Sequence, residues 1–194
     1  MNKKLLIYPC FVIFYFLVSC GNSEGEKRTS VDTSEYKTEI LEDNFQISIP
    51  KKMKKASQLN PEASMQFENN NASTFLVILQ EDRLDFLKAY GEAGFLDNTM
   101  SDIENYRKLQ VDYFVKRLTL LEKGEPDAVK INGNNAEQIE FTCQVPTANS
   151  NIFYVMTFVE GEDDLYMIIS WTISLLEDEH KGTFYAMADS FKEL

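Results

Sequence analysis

Phe45, Ile47 and Ile49 alternate with Gln46 and Ser48, which is the period of a half-buried strand. Ile40-Leu41 and the turn-forming Glu42-Asp43-Asn44 precede them, so residues 39–49 read as a hairpin that Pro50 stops. Met65 to Phe67 and Phe75 to Leu79 predict a second hairpin around Asn69-Asn70-Asn71. Every position of Phe75-Leu76-Val77-Ile78-Leu79 is apolar, as expected of an interior strand covered on both faces. The period then changes. Asp82 to Tyr90 predicts a short helix that turns Leu84, Leu87 and Tyr90 inward. Ser101-Asp102-Ile103-Glu104 is a capping box. It opens a longer helix to about Leu121, with Ile103, Tyr106, Tyr113, Phe114, Leu118 and Leu121 on the inward stripe, and Gly124 and Pro126 end it.

A strand-rich block follows. Ala128 to Ile131 runs into the turn Asn132-Gly133-Asn134. The next strand places Ile139, Phe141, Cys143 and Val145 on one face and Gln138, Glu140, Thr142 and Gln144 on the other. After a loop over residues 146–151, Ile152 to Val159 and Leu165 to Ile173 pair across Glu160-Gly161-Glu162-Asp163-Asp164. A last helix spans about Glu177 to Lys192, with His180, Phe184, Met187 and Phe191 on its buried stripe. Strands joined by short turns are antiparallel, and amphipathic helices need a sheet face to cover. The predicted fold class is α+β: an antiparallel sheet of about six or seven strands with helices packed on it.

Three segments together resemble the PsbP-like superfamily of small α+β domains. They are Asn44-Phe45-Gln46-Ile47-Ser48-Ile49-Pro50, then Ile131-Asn132-Gly133-Asn134-Asn135-Ala136, then Ala188-Asp189-Ser190-Phe191-Lys192. The resemblance covers most of residues 36–194 and rests on structural residues, so it transfers no catalytic motif. It implies an interaction or assembly module rather than an enzyme.

The first twenty residues have a different pattern. Lys3 and Lys4 precede an apolar run from Leu5 to Val18. As a helix that run spans roughly 21 Å, short of a ~30 Å hydrocarbon core, so it reads as a signal peptide and not a permanent span. It ends Leu17-Val18-Ser19-Cys20-Gly21, which resembles a bacterial lipobox. The resemblance implies diacylglyceryl transfer to the Cys20 thiol, cleavage before Cys20 and acylation of the new amino group with a fatty acid such as palmitate. The plainer alternative is an ordinary signal peptide with a chance cysteine. Residues 1–19 are then a lipoprotein signal peptide, 20–35 a flexible tether of small polar residues, and 36–194 a single domain. A tether of this length reaches roughly 20 Å. By resemblance to proteobacterial sorting, Gly21 in place of aspartate argues against inner-membrane retention, so the expected location is the outer membrane, facing the periplasm. Glu24 and Glu26 are a weak match to signals for display at the cell surface.

Composition narrows the function classes. The chain is 44% hydrophobic and 26% charged, which is ordinary for a globular domain. Its net charge is −12. Losing Lys3 and Lys4 with the leader leaves about 17 basic against 31 acidic groups, roughly −14. That charge disfavours a nucleic-acid binder or a generic polybasic membrane module. Cys10 leaves with the leader and Cys20 carries lipid, so Cys143 is the remaining thiol and no intrachain disulfide forms.

The candidate chemistry is sparse. Cys143 is a possible nucleophile, but alternation puts it on an apolar strand face, where a thiol is inert. His180 is the single histidine, placed on or beside a buried stripe, and any Ser-His-Asp or Cys-His site must use it. One histidine and one buried cysteine cannot supply a usual zinc set. Glu160 to Asp164 offers oxygen ligands for calcium without the spacing of an EF-hand, and a solvated hairpin turn is the plainer reading. Phe153, Tyr154, Phe158, Tyr166 and Trp171 lie on the two longest strands, either buried on both faces or lining an apolar pocket. Lys51-Lys52-Met53-Lys54-Lys55 is the one basic cluster, able to meet lipid headgroups or an acidic partner, or simply solvated. No cofactor is expected. The leading expectation is a non-catalytic, lipid-anchored envelope domain that binds a protein partner. The alternative is a carrier or sensor of a small apolar ligand or metal ion. A pocket among Trp171, Tyr166 and the helices would favour the alternative.

Overall fold

A computed structural model describes residues 31–42, 44–145 and 150–194. The predicted leader and most of the tether, with Cys20, lie outside the described residues, as do Asp43 and residues 146–149. Among the described residues, eleven strands and three α-helices follow one another: β1 (Tyr36–Leu41), β2 (Phe45–Pro50), β3 (Lys54–Lys55), β4 (Met65–Asn69), β5 (Thr74–Asp82), α1 (Arg83–Glu92), α2 (Asp102–Val115), β6 (Thr119–Lys123), β7 (Asp127–Ile131), β8 (Asn134–Gln144), β9 (Asn151–Glu160), β10 (Asp164–Ile173), α3 (Glu177–Asp189) and β11 (Lys192–Glu193).

The main sheet has eight strands in the order β3-β4-β5-β10-β9-β8-β6, with β7 also paired to β8. A second sheet orders β1-β2-β11. Every pairing is antiparallel. The fold is therefore α+β as expected, with one more strand in the main sheet than the upper expected count and a small second sheet besides.

The helices divide between the two faces. Phe86 of α1 and Ile103, Tyr106 and Val111 of α2 pack on Ile139, Phe141, Cys143, Met156, Phe158, Leu165 and Ile169. On the other face, Phe184 and Met187 of α3 join Phe45, Ile47 and Ile49 of β2 over Leu76, Ile78, Val155 and Ile168. Strands β5, β9 and β10 are thus covered twice, which is why they are apolar at consecutive positions. The β7–β8 turn takes its shape from Asn132 and Gly133 at φ 48° and 97°. Two successive positive φ values match the right-handed twist of the paired strands.

Several expectations fail locally. Helix α2 ends at Val115 and not near Leu121. Thr119 to Lys123 instead pairs along β8, satisfying the backbone of that edge. On α1, Leu84 is 75% exposed and Phe86 is buried in its place. The Asp82 side chain accepts from the Asp85 N–H at 2.8 Å and fixes that start of the helix. Helix α3 ends at Asp189, and Phe191 remains buried because the chain turns back to pair β11 with β2. Tyr113 and Leu121, expected to face inward, are exposed.

One polar atom in the core stands out. Thr172 of β10 is fully buried and its Oγ1 has no hydrogen-bond partner among the described residues. Valine keeps the shape and β-branching and removes the desolvated hydroxyl. Thr172→Val should stabilise the domain by about 1 kcal/mol in urea denaturation. A destabilised variant would mean that the hydroxyl has found a buried water.

Candidate functional site

Three chain reversals and the terminal strand meet at one end of the molecule. They are the β1–β2 turn with Glu42 and Asn44, the β7–β8 turn with Asn132, the β9–β10 turn, and the terminal strand β11. Between them lies a cleft of about 610 Å³. Five carboxylates line it, Glu42, Glu162, Asp163, Asp164 and Glu193, with Lys192 as its cation. Asn44, Asn132 and Asn134 supply amides.

Part of this lining is fixed by a continuous hydrogen-bond chain. Gln80 Nε2 donates to Asp164 Oδ2 at 2.7 Å and Asn44 Nδ2 donates to Gln80 Oε1 at 2.9 Å. The Tyr166 hydroxyl lies 3.2 Å from Asn44 Oδ1 and 3.0 Å from Glu193 Oε1. The Glu162 N–H donates to Glu193 Oε2 at 2.9 Å. Burial, and then the Glu193 carboxylate, hold the Tyr166 phenol above its ordinary range, so it stays a donor. Gly161 is packed so closely that an added Cβ would lie 2.3 Å from Glu193 Oε1. Asn132 Nδ2 donates to the Phe191 carbonyl at 2.5 Å, tying the β7–β8 turn to the end of the chain.

The remaining acids point outward. Glu42, Glu162 and Asp163 are exposed, and their carboxylates make no ion pair among the described residues. Ionised carboxylates only accept hydrogen bonds, so the rim suits a cationic or donor-rich group. Among the described residues, no three His, Cys, Asp or Glu side chains converge as a metal-binding group. The expected turn residue Glu160 faces elsewhere, paired with Arg83 at 2.6 Å.

The other candidates are scattered. Cys143 is buried on the α2 face and burial pushes its thiol up. His180 is buried on α3, across the sheet, with its ring 6.3 Å from Phe184. The two cannot form a Cys-His pair. Phe153 and Tyr166 lie on the α3 face, whereas Tyr154, Phe158 and Trp171 lie on the α2 face. No pocket can therefore join Trp171 to Tyr166. Burial, and secondarily Cys143, push the Tyr154 hydroxyl up to about 12. The four lysines between positions 51 and 55 are exposed around a buried Met53. Among the described residues, no helix is long and apolar enough to cross a membrane.

The sequence marks each turn of the cleft but not their convergence. Gln80, Lys192 and Glu193 carry no local signal, because topology alone brings β5 and the chain's end beside the β9–β10 turn.

No family model matches the chain. No curated protein matches it either. Solved structures do. The solution structure of cyanobacterial PsbP (CyanoP) from Synechocystis aligns with 92% of this chain and 99% of its own, at 13% identity and a TM-score of 0.54. PA94 of Pseudomonas aeruginosa, a protein of unknown function, aligns with 80% of this chain and 95% of its own, at 14% identity and a TM-score of 0.46. LpqN of Mycobacterium tuberculosis, involved in cell envelope biogenesis, aligns with 77% of this chain and 82% of its own, at 10% identity and a TM-score of 0.46. The likeness to the cyanobacterial protein gives this chain a PsbP-like fold.

Proposed function

We propose that this PsbP-like domain is a cell-envelope lipoprotein, held to a bilayer through Cys20, that binds a protein partner and catalyses no reaction. The observation that carries this reading is the placement of the acidic cleft. Strand β2 lies between Asn44, at the cleft, and Lys51, whose N–H donates to the Glu35 carbonyl at 2.8 Å where the tether joins the domain. Six strand residues separate these ends, roughly 20 Å at ~3.3 Å per residue. A domain tethered at Glu35 therefore presents the cleft away from its anchor.

The chemistry of the rim supports a basic peptide segment as the ligand. Glu42, Glu162 and Asp163 are exposed and a lysine or arginine would complete them. The lipobox residues support the anchor, and Gly21 supports sorting to the outer membrane, facing the periplasm.

In-cell cross-linking followed by affinity purification and mass spectrometry tests the reading. Wild type should capture one stoichiometric envelope protein. Glu162→Lys/Asp163→Lys should lose that capture by about a hundredfold, since like charges brought together across an interface cost several kcal/mol. Both residues are exposed, so the fold should survive, as circular dichroism would verify. Equal capture by the two forms would move the interface elsewhere, and capture of nothing by either would set the reading aside.

A further inference from the structure

The end of the domain where the tether joins has its own chemistry. Lys51 and Lys55 approach Glu35 and Glu39 at 3.5 and 3.8 Å. Lys52 and Lys54 are exposed and make no ion pair among the described residues. Lys54 begins a row across the main sheet. It faces Glu68, Glu68 faces Phe75, and Phe75 faces Trp171. Phe75 and Trp171 are half-buried and stacked, their ring centroids 5.2 Å apart. Four residues after Trp171 in the chain, where β10 has ended, Leu175 is 86% exposed. Lysines, a partly open tryptophan and a protruding leucine are the side chains that settle at a membrane interface.

We propose that this corner docks the domain onto an anionic lipid surface, lysines on headgroups and Trp171 and Leu175 at the interface. The docking rests on the anchor proposed above. A tether reaching roughly 20 Å keeps the corner within range of the bilayer. The domain's net charge is strongly negative, so an anionic surface repels other orientations and selects the one with the lysines down. The acids of the first turn of α3, Glu177, Asp178 and Glu179, lie on the sheet face opposite Trp171. Docked this way, the acidic cleft points away from the membrane.

Trp171 is the only tryptophan, which makes the test direct. The full chain, matured in a bacterium, is reconstituted in vesicles of phosphatidylcholine alone or with phosphatidylglycerol, using lipids brominated near the headgroup. Trp171 emission should shift to the blue and be quenched only with phosphatidylglycerol, and salt should reverse both changes. Lys52→Gln/Lys54→Gln should weaken the docking equilibrium about fivefold per lysine, roughly 25-fold in all. Equal emission in the two vesicle types, or a double variant indistinguishable from wild type, overturns the proposal. The intact mass of the same preparation reads the anchor separately. An unacylated chain overturns the anchor, while its quenching on titration with the phosphatidylglycerol vesicles still decides the docking.

Discussion

Replacing Arg107 with leucine is expected to destabilise the domain by about 3–5 kcal/mol near pH 7. Arg107 of α2 donates from Nε to Glu137 Oε2 of β8 at 3.1 Å, and both side chains are nearly buried. Glu137 is on the sheet face that carries Ile139 and Phe141, so its carboxylate has little water to turn to. Burial raises the Glu137 carboxyl above its ordinary value, and Arg107 only partly opposes this. A carboxyl raised in the folded state favours folding below its unfolded value and loses that contribution as pH climbs through the folded one. Without Arg107 the folded value rises further. The deficit of Arg107→Leu against wild type should therefore be largest at neutral pH and shrink on acidification toward the ordinary carboxyl range. Urea denaturation at the two pH values measures it. A deficit independent of pH would assign the loss to the packed arginine stem and not to the stranded charge. Arg107→Leu/Glu137→Leu should recover most of the stability, because the desolvated charge is then gone.

The elements were legible where local chemistry and tertiary demand agree. The capping box at Ser101 forms as read, with the Ser101 N–H donating to Glu104 Oε2 at 2.7 Å. The Asn132-Gly133 turn, the β1–β2 and β4–β5 hairpins and the long β9–β10 pair also follow their patterns. The failures are places where a distant partner decided. Leu118 and Leu121 continue the helical spacing of α2, yet β8 needs an edge partner and draws residues 119–123 into a strand. Lys192 and Glu193 continue α3 in pattern and pair with β2 in fact. The separation of Tyr166 from Trp171 was readable. Five positions apart in one strand is an odd number, so the two side chains take opposite faces.

The cleft was less legible than the fold for a physical reason. Its acidic turn is visible as sequence, but a turn becomes a site only through what stands around it. Gln80 of β5, Asn44 of the β1–β2 turn, Tyr166 of β10 and Glu193 of β11 hold that turn from four separate places in the chain. The same topology separates it from the lysine corner by the length of β2. The polarity of the domain, and with it the direction in which a tethered cleft would face, is therefore a property of the strand order and of no single motif.

Cys20→Ala should abolish lipidation completely while leaving the domain's thermal stability unchanged. The thiolate is the nucleophile that accepts the diacylglyceryl group, and alanine offers no acceptor. Each buried acyl methylene contributes about 0.8 kcal/mol, and stable anchoring takes more than one chain. Removing the acceptor therefore removes the whole of the attachment that the acyl chains provide. Residue 20 is the first residue of the tether, fifteen positions before Glu35, whose carbonyl bonds the Lys51 N–H where the domain begins, so packing on either sheet face is untouched. Metabolic labelling with a palmitate analogue, membrane fractionation and the melting temperature of the extracted domain read these together. Loss of label with an unchanged melting temperature, and release or mislocalisation of the chain, is the expected result. Persisting label would refute Cys20 as the acceptor. Lost label with a lowered melting temperature would mean that the leader or anchor packs on the domain, contrary to a tether that only spaces it from the bilayer.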